Sequence, residues 1–179
     1  MSMRSAFAAL PVAVLATMSL VPLVPLAAGC QKPGPKTANV VAAPMPGGEQ
    51  FSGVFQHPVF GELHLVERAG VVNGRWQRAD KSAWGELSGK PDGNVLRFSW
   101  AETRYGFVGP AATRKGRGVF VFTASPDQKM VLLAGQYGLG EDETGSKWDN
   151  IRLNNRAANP ESIGSNLPGT APVSGGNWD

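Results

Sequence analysis

The chain has 179 residues, with 23 glycines, 14 prolines and a formal net charge of +3. With 17 basic side chains against 14 acidic ones, it lacks the concentrated basic field of a nucleic-acid-binding protein, and no nucleic-acid partner is expected. A single cysteine excludes an internal disulfide, so burial must hold whatever folds.

Residues 6–28, AFAALPVAVLATMSLVPLVPLAA, carry no charged side chain, and Arg4 stands in front of them. A basic start, an apolar run and a close in small residues form the pattern of a secretory signal over residues 1–29. Pro11, Pro22 and Pro25 count against a regular membrane-spanning helix in the same stretch. The segment Leu26-Ala27-Ala28-Gly29-Cys30 resembles the lipobox of bacterial lipoproteins, with Ala27 where that family usually has leucine. The resemblance covers only the leader and the new N-terminus. It implies cleavage before Cys30, diacylglycerol on the Cys30 sulfur and a fatty acyl group such as palmitate on the freed amine. Two or more acyl chains make a stable anchor. The residue after the cysteine is Gln31 rather than aspartate, which by the same resemblance implies sorting to the outer membrane of the cell envelope. A membrane is thus the expected partner through Cys30.

Residues 31–49 contain Pro33, Pro35, Pro44 and Pro46 and show no sustained apolar period. With Cys30 they read as a tether over 30–49, spanning on the order of 25 Å as a coil and roughly 60 Å as polyproline II. Residues 50–153 read as the domain. Leu63 and Leu65 alternate with Glu62 and His64, Val72, Gly74 and Trp76 with Asn73, Arg75 and Gln77, and Leu96, Phe98 and Trp100 with Arg97 and Ser99. Phe120 and Phe122 alternate with Val119 and Val121, and Val131, Leu133, Gly135 and Tyr137 share a parity. This period of two predicts strands with one face on a core.

Turn signals separate the runs at Arg68-Ala69-Gly70, at Pro91-Asp92-Gly93-Asn94 and at Ser125-Pro126-Asp127-Gln128. Eight strands are predicted, near 51–56, 60–67, 71–78, 84–90, 94–101, 117–124, 129–137 and 147–153, with longer loops at 102–116 and 138–147. A weak repeat pairs Gly61-Glu62-Leu63 with Gly85-Glu86-Leu87, and Gly74-Arg75-Trp76 with Gly135-Gln136-Tyr137. A glycine near an aromatic suits a strongly curved sheet, where the ring covers the gap. The expectation is an all-β domain, an antiparallel meander of about eight strands closed as an up-and-down barrel, with a β-sandwich as the alternative. Such a barrel has an interior that side chains fill or that holds one small ligand. Its strand count and Gly-x-aromatic strand ends, such as Gly74–Trp76, resemble lipocalin- and avidin-type barrels; the resemblance carries over no ligand and no site residue. Residues 154–179, rich in Asn, Pro, Gly and Ser, are expected to be a mostly disordered tail in which Trp178 could dock.

Chemistry is sparse. His57 and His64 are the only histidines, and they fall on opposite parities. His64 shares a face with Glu62, an arrangement expected to be a solvent-facing pair rather than a metal site. Glu141, Asp142, Glu143, Asp149 and Asn150 supply oxygens, but without the spacing of a calcium loop. Arg104, Arg114, Lys115 and Arg117, with Tyr105 and Phe107 beside them, form the expected binding surface, suited to phosphate groups or acidic glycans. No Gly-x-Ser-x-Gly, free cysteine nucleophile or P-loop occurs, and no cofactor is indicated. The leading expectation is a non-enzymatic, lipid-anchored binding module meeting an envelope ligand, glycan or protein. The alternatives are a structural role in an outer-membrane assembly, or a polymer hydrolase drawing two carboxylates from Glu62, Glu86, Glu102, Asp127, Glu141 and Asp142.

Overall fold

A computed structural model describes residues 33–127, 129–153 and 156–164. Cys30, the leader, Gln128 and Trp178 lie outside the described residues. The domain is all-β. Its strands are β1 (Gly53–His57), β2 (Gly61–Arg68), β3 (Val71–Gln77), β4 (Ala83–Asp92), β5 (Val95–Arg104), β6 (Thr113–Ala124), β7 (Val131–Leu139), β8 (Ser146–Lys147) and β9 (Asn150–Arg152). Each strand from β1 to β7 pairs antiparallel with the next. Strand β9 pairs with both β7 and β1 and closes the ring.

Strands β8 and β9 are two halves of one eighth strand. The register that sets Tyr137 opposite Ser146 and Gln136 opposite Lys147 continues unbroken to Leu133 opposite Asn150. Between the halves the Gly135 N–H donates to an Asp149 carboxylate oxygen at 2.9 Å, and the Trp148 carbonyl accepts from the Asn150 side-chain amide at 3.0 Å. Side chains thus replace one backbone bond of the ladder, while Trp148 N–H keeps its own bond to the Gly135 carbonyl. The barrel is therefore a closed eight-stranded antiparallel meander, and the sandwich alternative falls.

The tight turns follow from backbone sterics. Ala69 and Gly70 both have positive φ (51° and 74°), as a two-residue hairpin of the primed kind requires. At the other tight hairpin the central residues are Gly93 and Asn94, because Asp92 already pairs with Val95.

The core is aromatic, and glycine makes room for it. Trp76 lies directly across from Gly85, Trp100 from Gly116, Phe98 from Gly118 and Phe120 from Gly135. A Cβ on Gly85 would fall 2.2 Å from the Trp76 ring, and one on Gly118 would fall 2.5 Å from the Phe98 ring. The glycines are covered by rings, as curvature demands. The rings come from the paired strand, not from two residues further along the same strand. Trp148 is the hub: Phe60, Trp76, Phe120 and Tyr137 surround it at centroid distances of 4.7, 4.9, 5.2 and 5.9 Å. The last three meet edge-on and the Phe60 ring is tilted; aromatic pairs of this kind each add about 0.5–1.5 kcal/mol beyond burial.

The described parts of both flanking segments dock on the barrel. Residues 36–45 lie along the barrel as a strap. Asp142 accepts the Lys36 N–H, Glu143 accepts the Ala38 N–H, and Asn94 bonds both the N–H and the carbonyl of Ala43. Ala38 and Val40 pack on Val95, Val119 and Val121, so the strap covers the apolar outward face of β5 and β6. In the tail, residues 156–164 also dock: Arg156 pairs with Glu62, Glu161 with Arg75, and Ile163 is buried.

Gly85→Ala is expected to destabilise the domain by about 1–3 kcal/mol, the usual range for overpacking, because the added methyl meets the Trp76 ring. Gly34→Ala, where a Cβ would meet nothing within 4 Å, is the control. Urea unfolding of both checks this; equal midpoints would show that ring and glycine are not in contact.

Candidate functional site

The inward positions change character at one end of the barrel. On β3 and just beyond it, Trp76 is followed two residues later by Arg78; on β5, Trp100 is followed by Glu102; on β6, Arg114 precedes Gly116. There the aromatic core gives way to a cavity of about 380 Å³. Its apolar walls are Phe60, Trp76, Trp100, Tyr137 and Trp148; its charged groups are Lys36, Arg78, Glu102, Arg114 and Asp142. Segment 142–146 forms part of the rim.

Arg78 and Glu102 form a two-pronged pair, Nε to Oε2 at 2.8 Å and Nη2 to Oε1 at 3.0 Å. Glu102 is 3% exposed, and the Arg78 guanidinium also lies 4.9 Å from the Phe60 ring centre. The pair is a fixed feature of the mouth, because removing either partner would leave the other buried and unmatched. Arg114 has no protein partner among the described residues. Two buried indole N–H groups, on Trp76 and Trp148, likewise have none.

His57 sets the position of Phe60. Its Nδ1 accepts the N–H groups of Val59 at 3.0 Å and Phe60 at 3.1 Å, and its ring stands 5.0 Å from the Phe60 ring. Burial pushes the His57 pKa below the ordinary value, with Asp149 opposing the shift. A proton on Nδ1 would also remove the acceptor that both N–H groups use.

The six residues expected to form a binding surface do not come together. The long loop expected at 102–116 is shorter, because β5 runs to Arg104 and β6 begins at Thr113; the loop expected at 138–147 likewise shrinks to residues 140–145. Arg114 alone of the six lines the cavity. Lys115 and Arg117 stand on the outward face of β6, where Arg117 pairs with Glu141. Arg104 stacks 4.2 Å over Phe107 and donates to the Ala111 carbonyl at 2.6 Å, which closes the loop on itself. Burial raises the Tyr105 pKa, so that side chain is partly withdrawn from the surface.

The remaining candidates have structural partners. His64 is buried and not solvent-facing: its Nδ1 accepts the Asn159 N–H at 3.0 Å, and Nε2 lies 3.4 Å from Glu62. Glu143 pairs with Arg97 and holds the strap. Among the described residues no three His, Cys, Asp or Glu side chains gather as a metal site. Of the carboxylate pool, only Glu102 and Asp142 share the cavity. Both Glu102 oxygens accept from Arg78, and Asp142 accepts from the Lys36 backbone. That geometry suits holding a site together better than moving a proton.

Sequence reasoning passed over Arg78, Tyr137 and Trp148 as site residues. A signal was present: a charged residue two positions beyond an inward Trp, at 76/78 and 100/102, continues the core parity and must sit at a barrel mouth. No family model, curated protein or solved structure matches the chain.

Because the folded pKa of His57 is lowered, the unfolded chain binds its proton first as the pH falls. The stability that neutral His57 contributes is present above the ordinary histidine value and is lost as the pH drops through the folded pKa. Urea midpoints are expected to fall between about pH 7 and pH 5. In His57→Asn, whose side-chain oxygen can take the same N–H groups, that slope is expected to be smaller; equal slopes would remove His57 from the account.

Proposed function

We propose that this chain is a lipid-anchored envelope protein whose barrel binds a small molecule in the cavity at its mouth. The observation that carries the reading is the cavity itself: about 380 Å³, walled by five aromatic side chains and edged by a few fixed polar groups. Binding sites for small ligands have this build, mostly apolar with a few placed polar groups. The rigid barrel supports it, since each wall residue belongs to a strand or to a turn braced from the core.

The anchor follows from the Leu26–Cys30 segment and from the lone cysteine it accounts for. The docked strap sharpens what that anchor would do. Only residues 31–35 separate Cys30 from Lys36, a stretch reaching about 20 Å at full extension. Lys36 lines the cavity, so lipid on Cys30 would keep the mouth close to the bilayer. This favours ligands that reside at the membrane surface or are passed along it.

Two measurements test the reading. N-phenyl-1-naphthylamine, a neutral aromatic probe, is expected to bind the purified domain and to take up tryptophan emission. Thr144→Trp, which fills the rim, is expected to abolish this. Probe binding unchanged by that substitution would place the site elsewhere. For the anchor, mass spectrometry of the mature chain from a bacterial host is expected to show a diacylglyceryl Cys30 at the N-terminus. An intact leader or an unmodified Cys30 would overturn the anchor without touching the cavity.

A further inference from the structure

We infer that the cavity takes an organic anion, with a flat apolar body among the indoles and a carboxylate, sulfonate or phosphate group on Arg114. This rests on the reading of the cavity as a small-ligand site and adds the ligand's chemical class.

Both oxygens of Glu102 are taken by Arg78, so this acid and this base cancel each other. One oxygen of Asp142 is taken by the Lys36 N–H. The charged side chains at the cavity left without a protein partner among the described residues are the Arg114 guanidinium and the Lys36 ammonium. Both are cations that can only donate. A ligand that meets these two cations must bring acceptors.

Charge points the same way. Lys36, Arg78 and Arg114 against Glu102 and Asp142 leave one positive charge in excess at the cavity. An organic cation would meet the unpartnered charges of Arg114 and Lys36, with one free carboxylate oxygen, on Asp142, to oppose them. A neutral sugar brings no charge to match that excess. An aromatic or otherwise flat anion matches both features, its body stacked on rings and its charged oxygens on a guanidinium suited to oxyanions.

A matched pair of probes separates the charge from the body. 1-Anilinonaphthalene-8-sulfonate and N-phenyl-1-naphthylamine share one ring system and differ by the sulfonate. Fluorescence titration of the wild-type barrel is expected to show the anion binding about tenfold more tightly or better, the scale of one hydrogen bond to a charged group. Arg114→Ala is expected to remove that advantage and leave the neutral probe unchanged, while Arg114→Lys keeps part of it. Near-ultraviolet circular dichroism confirms that each variant is folded. Thr144→Trp should block both probes, which places them in the cavity. Equal affinities for the two probes, with Arg114→Ala affecting neither, would overturn the anion inference and leave the cavity reading standing. No binding of either probe would overturn the cavity reading and this inference together.

Discussion

A ring lying on a glycine of the neighbouring strand is the contact on which this barrel depends. Eight strands enclose a lumen about wide enough for one layer of side chains. Indoles and phenyls on facing strands cannot share it if every opposing position carries a Cβ. The pairs Trp76–Gly85, Trp100–Gly116, Phe98–Gly118 and Phe120–Gly135 solve this by emptying the position across from each ring. The glycines weaken their own strands in propensity, and the rings restore that loss through burial. Trp148, delivered from the interrupted eighth strand, then fits at the centre of the group.

The cavity is a consequence of the same packing. Where the inward series passes from Trp to Arg78, Glu102 and Arg114, charged side chains take the place of rings, and the lumen opens. The walls are the outer edges of the core, so the site is rigid because the core is. The Arg78–Glu102 pair spans from the end of β3 to β5 across the mouth, which holds two strand ends in place. What remains for a ligand is shaped apolar surface and an excess of positive charge.

The strap and the acidic loop work as one device. Taken alone, Glu141–Glu143 look like a solvated cluster. In the fold Asp142 and Glu143 receive backbone N–H groups of the strap, and Glu143 also meets Arg97. Gly93 lies so close to the Ala43 carbonyl that a Cβ would come within 2.0 Å of it. Contacts of such sequence separation close the outer apolar face of β5 and β6, and they bring the chain from the N-terminal side to the cavity rim.

The alternation of polar and apolar residues was enough to place eight strands within a few residues of their true ends, to choose antiparallel hairpins and to predict closure. Period-two patterning determines which face is buried, and two-residue turns determine who pairs with whom. Local patterning could not tell that Arg114 points inward while Lys115 and Arg117 point out, once residues 102–116 were read as loop. Nor could it tell that His64 is covered by Asn159, that Trp148 is the centre of the core, or that residues 36–45 bind the barrel instead of swinging free. Each of these rests on partners that lie far apart along the chain. By itself the sequence determined the repeating geometry of the strands, because that geometry is local. The cavity, its unmatched donors and the docked strap were decided only when closure brought distant residues to the same end of the barrel.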